Sequence, residues 1–377
     1  MPVIRWLAQH RIVPGLVNLY QAYGYSQSYF LYAALLDFGP FSHGSHHLAN
    51  SLLLLPLIAR ALLGMVRLAR PGWDGPRAAE LYDALWLPIA LQLAFDINLT
   101  SPSPDFAVFV LTIVLAGELV RLAARTDQGA GATSALLTVA VLACAATTVK
   151  LTLASDAAAT LLVATALWMF RARPGPRALR PLAAMAAIIV VMLVPWLLRG
   201  VILSGYPLYP SHLAGFPVNW RAPDAKFLSI WPGSRWAGLR DWSWLVTFAR
   251  QSGWNELGVE LPFALALGAG VVAGAFARFG RARSRRPASA VLLVPTVAAL
   301  AFWFFSSPLA RFAGATFWVL AALALLLALE PVLRFAPVRL GLVATLLSPR
   351  PGCSLPTGRC CATSRSSSRR RRRCSPG

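Results

Sequence analysis

Six ionisable residues sit in or at the ends of long apolar stretches of the chain: Asp96, Asp105, Lys150, Asp156, Arg199 and Arg311. A charge in such a setting is costly, so it tends to be paired or to work on something. Residue type sets the available chemistry. A carboxylate such as Asp37, Asp96 or Asp105 can take a proton from a hydroxyl, or hold a divalent metal that neutralises a leaving phosphate. Lys150 offers a phosphate a point charge, while Arg199 and Arg311 offer a bidentate fork. All six also read as wetted boundary groups with no task. Asp96 and Lys150, flanked by apolar sequence, fit that plainer reading least.

Other motifs carry less. His43, His46 and His47 place three imidazoles within five residues, a set that can contribute to a zinc or iron site. No H-E-x-x-H and no distant Cys/His cluster completes it, so a polar turn opening the next helix is expected and no metal site is assigned. Gly270 and Gly274 form a G-x-x-x-G in an apolar segment, which predicts close helix approach. Asn98-Leu99-Thr100 matches the glycosylation triplet but falls at a segment boundary. Walker A, G-x-S-x-G, C-x-x-C and kinase motifs are missing, so ATP-driven transport within this chain has no support.

The elements that must position these residues follow from composition. Of 377 residues, 57% are hydrophobic and 13% charged. Soluble domains carry about 25% charged residues, so an ordinary cytosolic enzyme, a disordered chain and a disulfide scaffold are all excluded. The expected fold is all-α, a multi-pass transmembrane helix bundle. An apolar window of about 20 residues crosses a bilayer. On that rule nine spans are predicted, near 48–67, 81–98, 105–121, 133–150, 155–171, 180–199, 257–277, 288–306 and 311–329. Arg60 falls near the middle of the first: either it faces the bundle interior, or the helix starts earlier and Arg60 marks its end.

Charge orders the connections. The formal charge is +21; Arg350, Arg359, Arg365 and Arg369 to Arg373 supply eight of it within 349–377, leaving +13 for the rest. Arginines cluster after the first, third, fifth, seventh and ninth spans, and the alternate loops are poor in them. Basic connections resist translocation, which puts the arginine clusters in the cytoplasm and residues 1–47 outside. Basic charge without a nucleic-acid motif reads this way and predicts membrane lipid, not nucleic acid, as partner. The six ionisable residues then gather near one outer boundary. Residues 200–255 hold Trp220, Trp231, Trp236, Trp242, Trp244 and Trp254, six of the 13 tryptophans. This loop reads either as an interfacial segment or as a lid over a lipid-linked or sugar substrate.

Val13-Pro-Gly-Leu-Val-Asn-Leu-Tyr20 followed by Gly24-Tyr-Ser-Gln-Ser-Tyr-Phe30 resembles a bacterial family of polytopic membrane proteins that reads V-P-G-L-x-N-L-H, then G-F-N-S-S-W-F. The likeness continues through Leu36-Asp37-Phe-Gly-Pro40, Ser101-Pro-Ser-Pro-Asp105, Tyr206-Pro-Leu-Tyr-Pro210 and Arg311-Phe312. That family is similar in architecture to the GT-C glycosyltransferases, which use polyprenyl-phosphate sugars and carry a catalytic Asp in their first external loop. The resemblance implies that 1–47 is the remainder of that loop and that the chain starts beyond the acid. Tyr20 stands where the family has His, and Tyr25-Ser26 where it has Phe-Asn.

The domain reading is an external segment 1–47, a transmembrane bundle 48–347 with the external loop 200–255, and a basic low-complexity, disordered tail 348–377. The resemblance implies an inner-membrane protein that moves sugar from a polyprenyl-phosphate donor in envelope glycan synthesis. Asp37, Asp96 or Asp105 would then be base or metal partner, with Lys150, Arg199 and Arg311 on the donor phosphate. A divalent metal is compatible with this and not required by it. The alternatives are a transporter or flippase for a lipid-linked saccharide, and a non-catalytic scaffold.

Overall fold

The computed structural model describes residues 2–39, 44, 47–70, 77–95, 99–125, 130–172, 179–211, 213–223, 259–279, 290–306, 310–329 and 336–347. Among these the regular structure is entirely helical. Two short helices, α1 (Pro2–Gln9) and α2 (Ser28–Leu35), precede the long α3 (Leu48–Ala69). There follow α4 (Arg77–Leu85), α5 (Leu87–Ala94), α6 (Pro104–Ala124), α7 (Ala130–Val149), α8 (Ala154–Ala172) and α9 (Leu179–Ser204). The last four are α10 (Leu261–Phe279), α11 (Leu293–Ser306), α12 (Ala310–Leu329) and α13 (Ala336–Leu347).

Five segments are long and apolar enough to cross a bilayer: Leu48–Ala69, Pro104–Ala124, Ala130–Val149, Leu151–Phe170 and Leu179–Ser204. They match five of the expected spans closely, as a membrane protein requires. Among the described residues the expected total of nine is not reached. The segment expected at 81–98 is broken at Trp86 into α4 and α5. Pro88 has no N–H to give the carbonyl four residues back, so a continuous helix loses a bond there. Within α10 to α13 the fully described apolar stretches are shorter: Leu261–Ala275, Leu293–Phe305, Ala315–Leu329 and Pro337–Leu347. At about 1.5 Å per residue α11, with 14 residues, and α13, with 12, fall short of a ~30 Å hydrocarbon layer, whereas the full α10, with 19, and α12, with 20, come close to it.

Sequence signals explain the best-defined helix start. Ser103 caps α6 by accepting the Asp105 N–H at 3.3 Å, Pro104 occupies the first turn, and Asp105 adds an acid there. α6 then packs on α7, α7 on α8, and α12 against both α6 and α11. The main core runs through α3 to α8 and α12, with Trp86, Tyr82, Leu81, Ile113, Leu115 and Leu136 buried. α9 lies at the periphery: no residue of its most apolar stretch is buried.

The G-x-x-x-G expectation is corrected. A Cβ at Gly268, Gly270 or Gly274 meets nothing within 4 Å, so these glycines make no close approach among the described residues. α10 instead lays Ala266, Ala269 and Ala273 on Ala321, Ala324 and Ala328 of α12. Alanine is small enough for that contact, and the glycines face elsewhere. Close approach through glycine occurs between α3 and α4. A Cβ on Gly64 would lie 2.8 Å from the Glu80 carbonyl oxygen and 2.9 Å from the Asp83 Cβ.

Candidate functional site at the rim of the bundle

α6 begins and α7 ends at the same end of the bundle, because Asp105 and Lys150 form an ion pair there. This end is the rim. Residues 2–39 are laid across it by polar bonds as well as apolar packing. The Tyr29 hydroxyl donates to Asn50 Oδ1 at 2.8 Å, and Asn50 Nδ2 donates to the Ser101 carbonyl at 2.7 Å. The Tyr32 hydroxyl donates to the Ala49 carbonyl at 3.2 Å, and the hydroxyls of Ser28 and Thr148 are 3.0 Å apart. Val3 and Ile4 of α1 pack with Tyr29, Phe30 and Ala33 of α2, above Ala49 of α3 and Ala107 of α6. Burial raises the Tyr29 hydroxyl pKa well above its ordinary value, with the neighbouring Tyr32 adding to the effect.

α9 joins the rim through Trp196 and Arg199. Ser26 Oγ donates to the Trp196 carbonyl at 3.0 Å, and the Trp196 indole N–H donates to the Ser26 carbonyl. Arg199 Nη1 lies 3.4 Å from Ser26 Oγ. Its Nε is buried without a hydrogen-bond partner, and no carboxylate lies within ion-pair distance among the described residues. A guanidinium removed from water and left without a counter-charge favours an incoming anion.

The site residues expected from sequence divide as follows. Asp105 and Lys150 are brought together, with side chains 40% and 14% exposed, so in this structure they neutralise each other. Arg199 is connected to them by two polar contacts joined by short stretches of chain. Arg199 meets Ser26, Ser28 meets Thr148, and Lys150 follows Thr148 by two residues. Two residues of chain span at most about 7 Å, so these groups share one neighbourhood. Asp37 lies just past α2, half-buried, with its backbone N–H on the Ala34 carbonyl at 3.0 Å. Asp156 is buried in the first turn of α8, at the same end. Arg311 belongs to the first turn of α12, with its side chain outside the described residues, as is all of Asp96.

Of the histidine cluster, His47 hydrogen-bonds the Thr100 carbonyl at 2.7 Å through Nδ1; His43 and His46 lie outside the described residues. The described residues include no group of three potential metal ligands. Trp220 donates its indole N–H to the Val201 carbonyl at 3.3 Å, whereas the tryptophans from Trp231 to Trp254, Asn98 and the 348–377 tail lie outside the described residues.

Sequence reasoning missed a second charged cluster. Arg60 faces the interior, with Nη2 at 3.0 Å from Asp83 and Nη1 at 2.7 Å from Glu118. Arg121 meets the same Glu118 carboxylate at 2.7 Å and also pairs with Asp83. Gly117 makes the room, since a Cβ there would strike the Arg60 guanidinium and the Tyr82 ring. A signal was present in the sequence. Arg60 lies about 18 Å along α3 and Glu118 about 21 Å along α6 at 1.5 Å per residue, so the two charges share a depth.

No curated protein and no solved structure matches the chain. A family model described as a domain of unknown function, DUF8201, matches residues 1–318. With most of its length covered by that match, the chain belongs to the DUF8201 family.

Proposed function

We propose that this membrane protein is a glycosyltransferase that takes sugar from a polyprenyl-phosphate donor at the rim, in a GT-C-like arrangement, for bacterial envelope glycan synthesis. The observation that carries the reading is Arg199. It is a half-buried guanidinium with no carboxylate partner among the described residues, connected to an Asp–Lys pair by two polar contacts and short stretches of chain. An apolar tail would lie along the peripheral α9 while its phosphate meets Arg199.

The step balances as follows. The acceptor hydroxyl gives its proton to Asp105 and attacks the anomeric carbon. The bond from that carbon to the phosphate oxygen breaks, and polyprenyl phosphate leaves with the electron pair. Lys150 pairs with Asp105 in the resting protein. The arriving phosphate competes for the same ammonium, which couples donor binding to release of the base.

Purified protein in lipid, given labelled polyprenyl-phosphate sugar, releases polyprenyl phosphate under this reading. Arg199→Ala lowers that release on the order of 100-fold, as loss of a charge-stabilising donor does. Intact donor that is neither consumed nor bound would remove the reading. A second reading, movement of a lipid-linked saccharide between leaflets, draws on the charges inside the bundle, since intramembrane ionisable residues also line transport paths. Leaflet-to-leaflet transfer of intact donor favours it.

A further inference from the structure

Above the rim, on the N-terminal segment, four aromatic rings form a continuous surface that the rim chemistry does not use. Trp6 and His10, four residues apart and so on one face of the chain, have ring centroids 4.5 Å apart at 44°. Trp6 lies 5.6 Å from Tyr23 at 41°, and Tyr23 lies 5.5 Å from Tyr20 at 78°. The residues come from α1, from His10 just past its end, and from the turn 20–24, which the Tyr23 N–H closes on the Tyr20 carbonyl at 2.9 Å. Tyr20 is 53% exposed and His10 is exposed. Arg5, Gln9 and Arg11, all exposed, adjoin them in the chain.

We propose that Trp6, His10, Tyr20 and Tyr23 form a carbohydrate-binding shelf that takes hexose units of a glycan. α1 uses Val3 and Ile4 to pack on α2, which itself rests on the helix starts, so the shelf stands one layer above the rim. The successive tilts make a curved surface of ring faces and edges, not a flat stack. A pyranose ring suits it, because its C–H face lies on an aromatic face while its hydroxyls reach the polar edges of Tyr, His and Trp. One such edge is open in chemical terms: the Trp6 indole N–H is buried without an acceptor among the described residues. A sugar hydroxyl arriving as His10 shifts would satisfy it. The neighbouring arginines and glutamine supply further donors at the margin, which a purely apolar partner would leave unused.

The shelf rests on ring geometry and does not depend on the transferase reading, so a failed donor assay leaves it standing. The test is saturation-transfer NMR of the full chain in lipid nanodiscs against a panel of neutral hexose oligosaccharides. At least one member is expected to bind, with contacts on its C–H faces. Tyr20→Ala and His10→Ala, at exposed positions, each lower its affinity about tenfold without changing the unfolding temperature. Tyr20→Phe keeps most of the affinity, because the ring and not the hydroxyl stacks. Ile12→Ser, at an exposed position beside the shelf, changes nothing. Failure of every member to bind overturns the proposal, as does binding that survives the Tyr20, His10 double replacement. So does protection of the shelf by the bilayer itself, read as Tyr20→Ala lowering contact with lipid instead of sugar.

Discussion

In the middle of the bundle Arg60, Asp83, Glu118 and Arg121 close on one another, two guanidinium groups against two carboxylates, each in contact with both opposite partners. At the rim, Arg199 buries its guanidinium against a serine hydroxyl and leaves one donor unpaired among the described residues, while Lys150 and Asp105 meet as a partly exposed pair. The inner cluster balances its charges and fixes three helices, α3, α4 and α6, at a common depth. At the rim Arg199 has no carboxylate within ion-pair distance among the described residues, and under the proposed reading it is this charge that meets the donor phosphate.

The largest effect that tests this contrast is Arg60→Ala. Removing one guanidinium strands part of Asp83 and Glu118 inside the bundle, and breaking a buried pair from one side costs about 3–5 kcal/mol. Thermal unfolding in nanodiscs should show a large drop. Arg199→Ala should leave the unfolding temperature nearly unchanged, because no carboxylate among the described residues loses a partner. Equal losses for the two variants would abolish the distinction. Next in size is Gly117→Val, which pushes a side chain into Arg60 and Tyr82. Overpacking of this kind costs about 1–3 kcal/mol, and the same melt reads it.

The sequence made some of this legible and hid the rest for physical reasons. Apolar run length is a local property, so α3, α6, α7, α8 and α9 emerged within a few residues of their expected bounds. A break inside an apolar run is also local, yet Pro88 was not read as a breaker in the segment 81–98. The partners of Arg60 depend on two helices meeting at one depth, which a loop-by-loop reading of charge does not compute. Asp83 and Glu118 both lay inside expected spans, with Glu80 at the edge of one, and intramembrane acids facing an intramembrane arginine were the missed signal. The glycine pair of α10 failed because a small-residue spacing does not say which face meets the neighbour. At the rim, Asp105 and Lys150 were both singled out, but as base and phosphate ligand and not as each other's partner. Ser26, Ser28, Thr148 and Trp196, which tie Arg199 to that pair, carry no pattern of their own.

A smaller effect probes how the N-terminal segment is fastened to the rim. Tyr29→Phe deletes the bond to Asn50 Oδ1 and should cost about 0.5–1.5 kcal/mol. The same hydroxyl makes the protein alkali-sensitive. Burial raises the pKa of Tyr29 in the folded state, and does the same for Tyr25 and Tyr209. Protons are therefore held more tightly folded than unfolded. Stability is complete below the unfolded pKa near 10 and falls as pH rises above it. Melts between pH 8 and pH 11 should decline only above that value, and less steeply in Tyr29→Phe.

The smallest stability change is expected at the Asp105–Lys150 pair, and there it is most informative. With Asp105 40% exposed, the pair is partly screened, and Lys150→Met should cost under about 1 kcal/mol. If the pair were a closed structural lock like the Arg60 cluster, the loss would be several-fold larger and Asp105→Asn would match it. If it is a site held ready, both variants fold normally and separate in function. Lys150→Met then weakens donor binding, as a rise in KM, because the phosphate loses a cation. Asp105→Asn leaves binding intact and lowers kcat, because the base is gone. That split, at unchanged stability, is what a structural ion pair cannot produce.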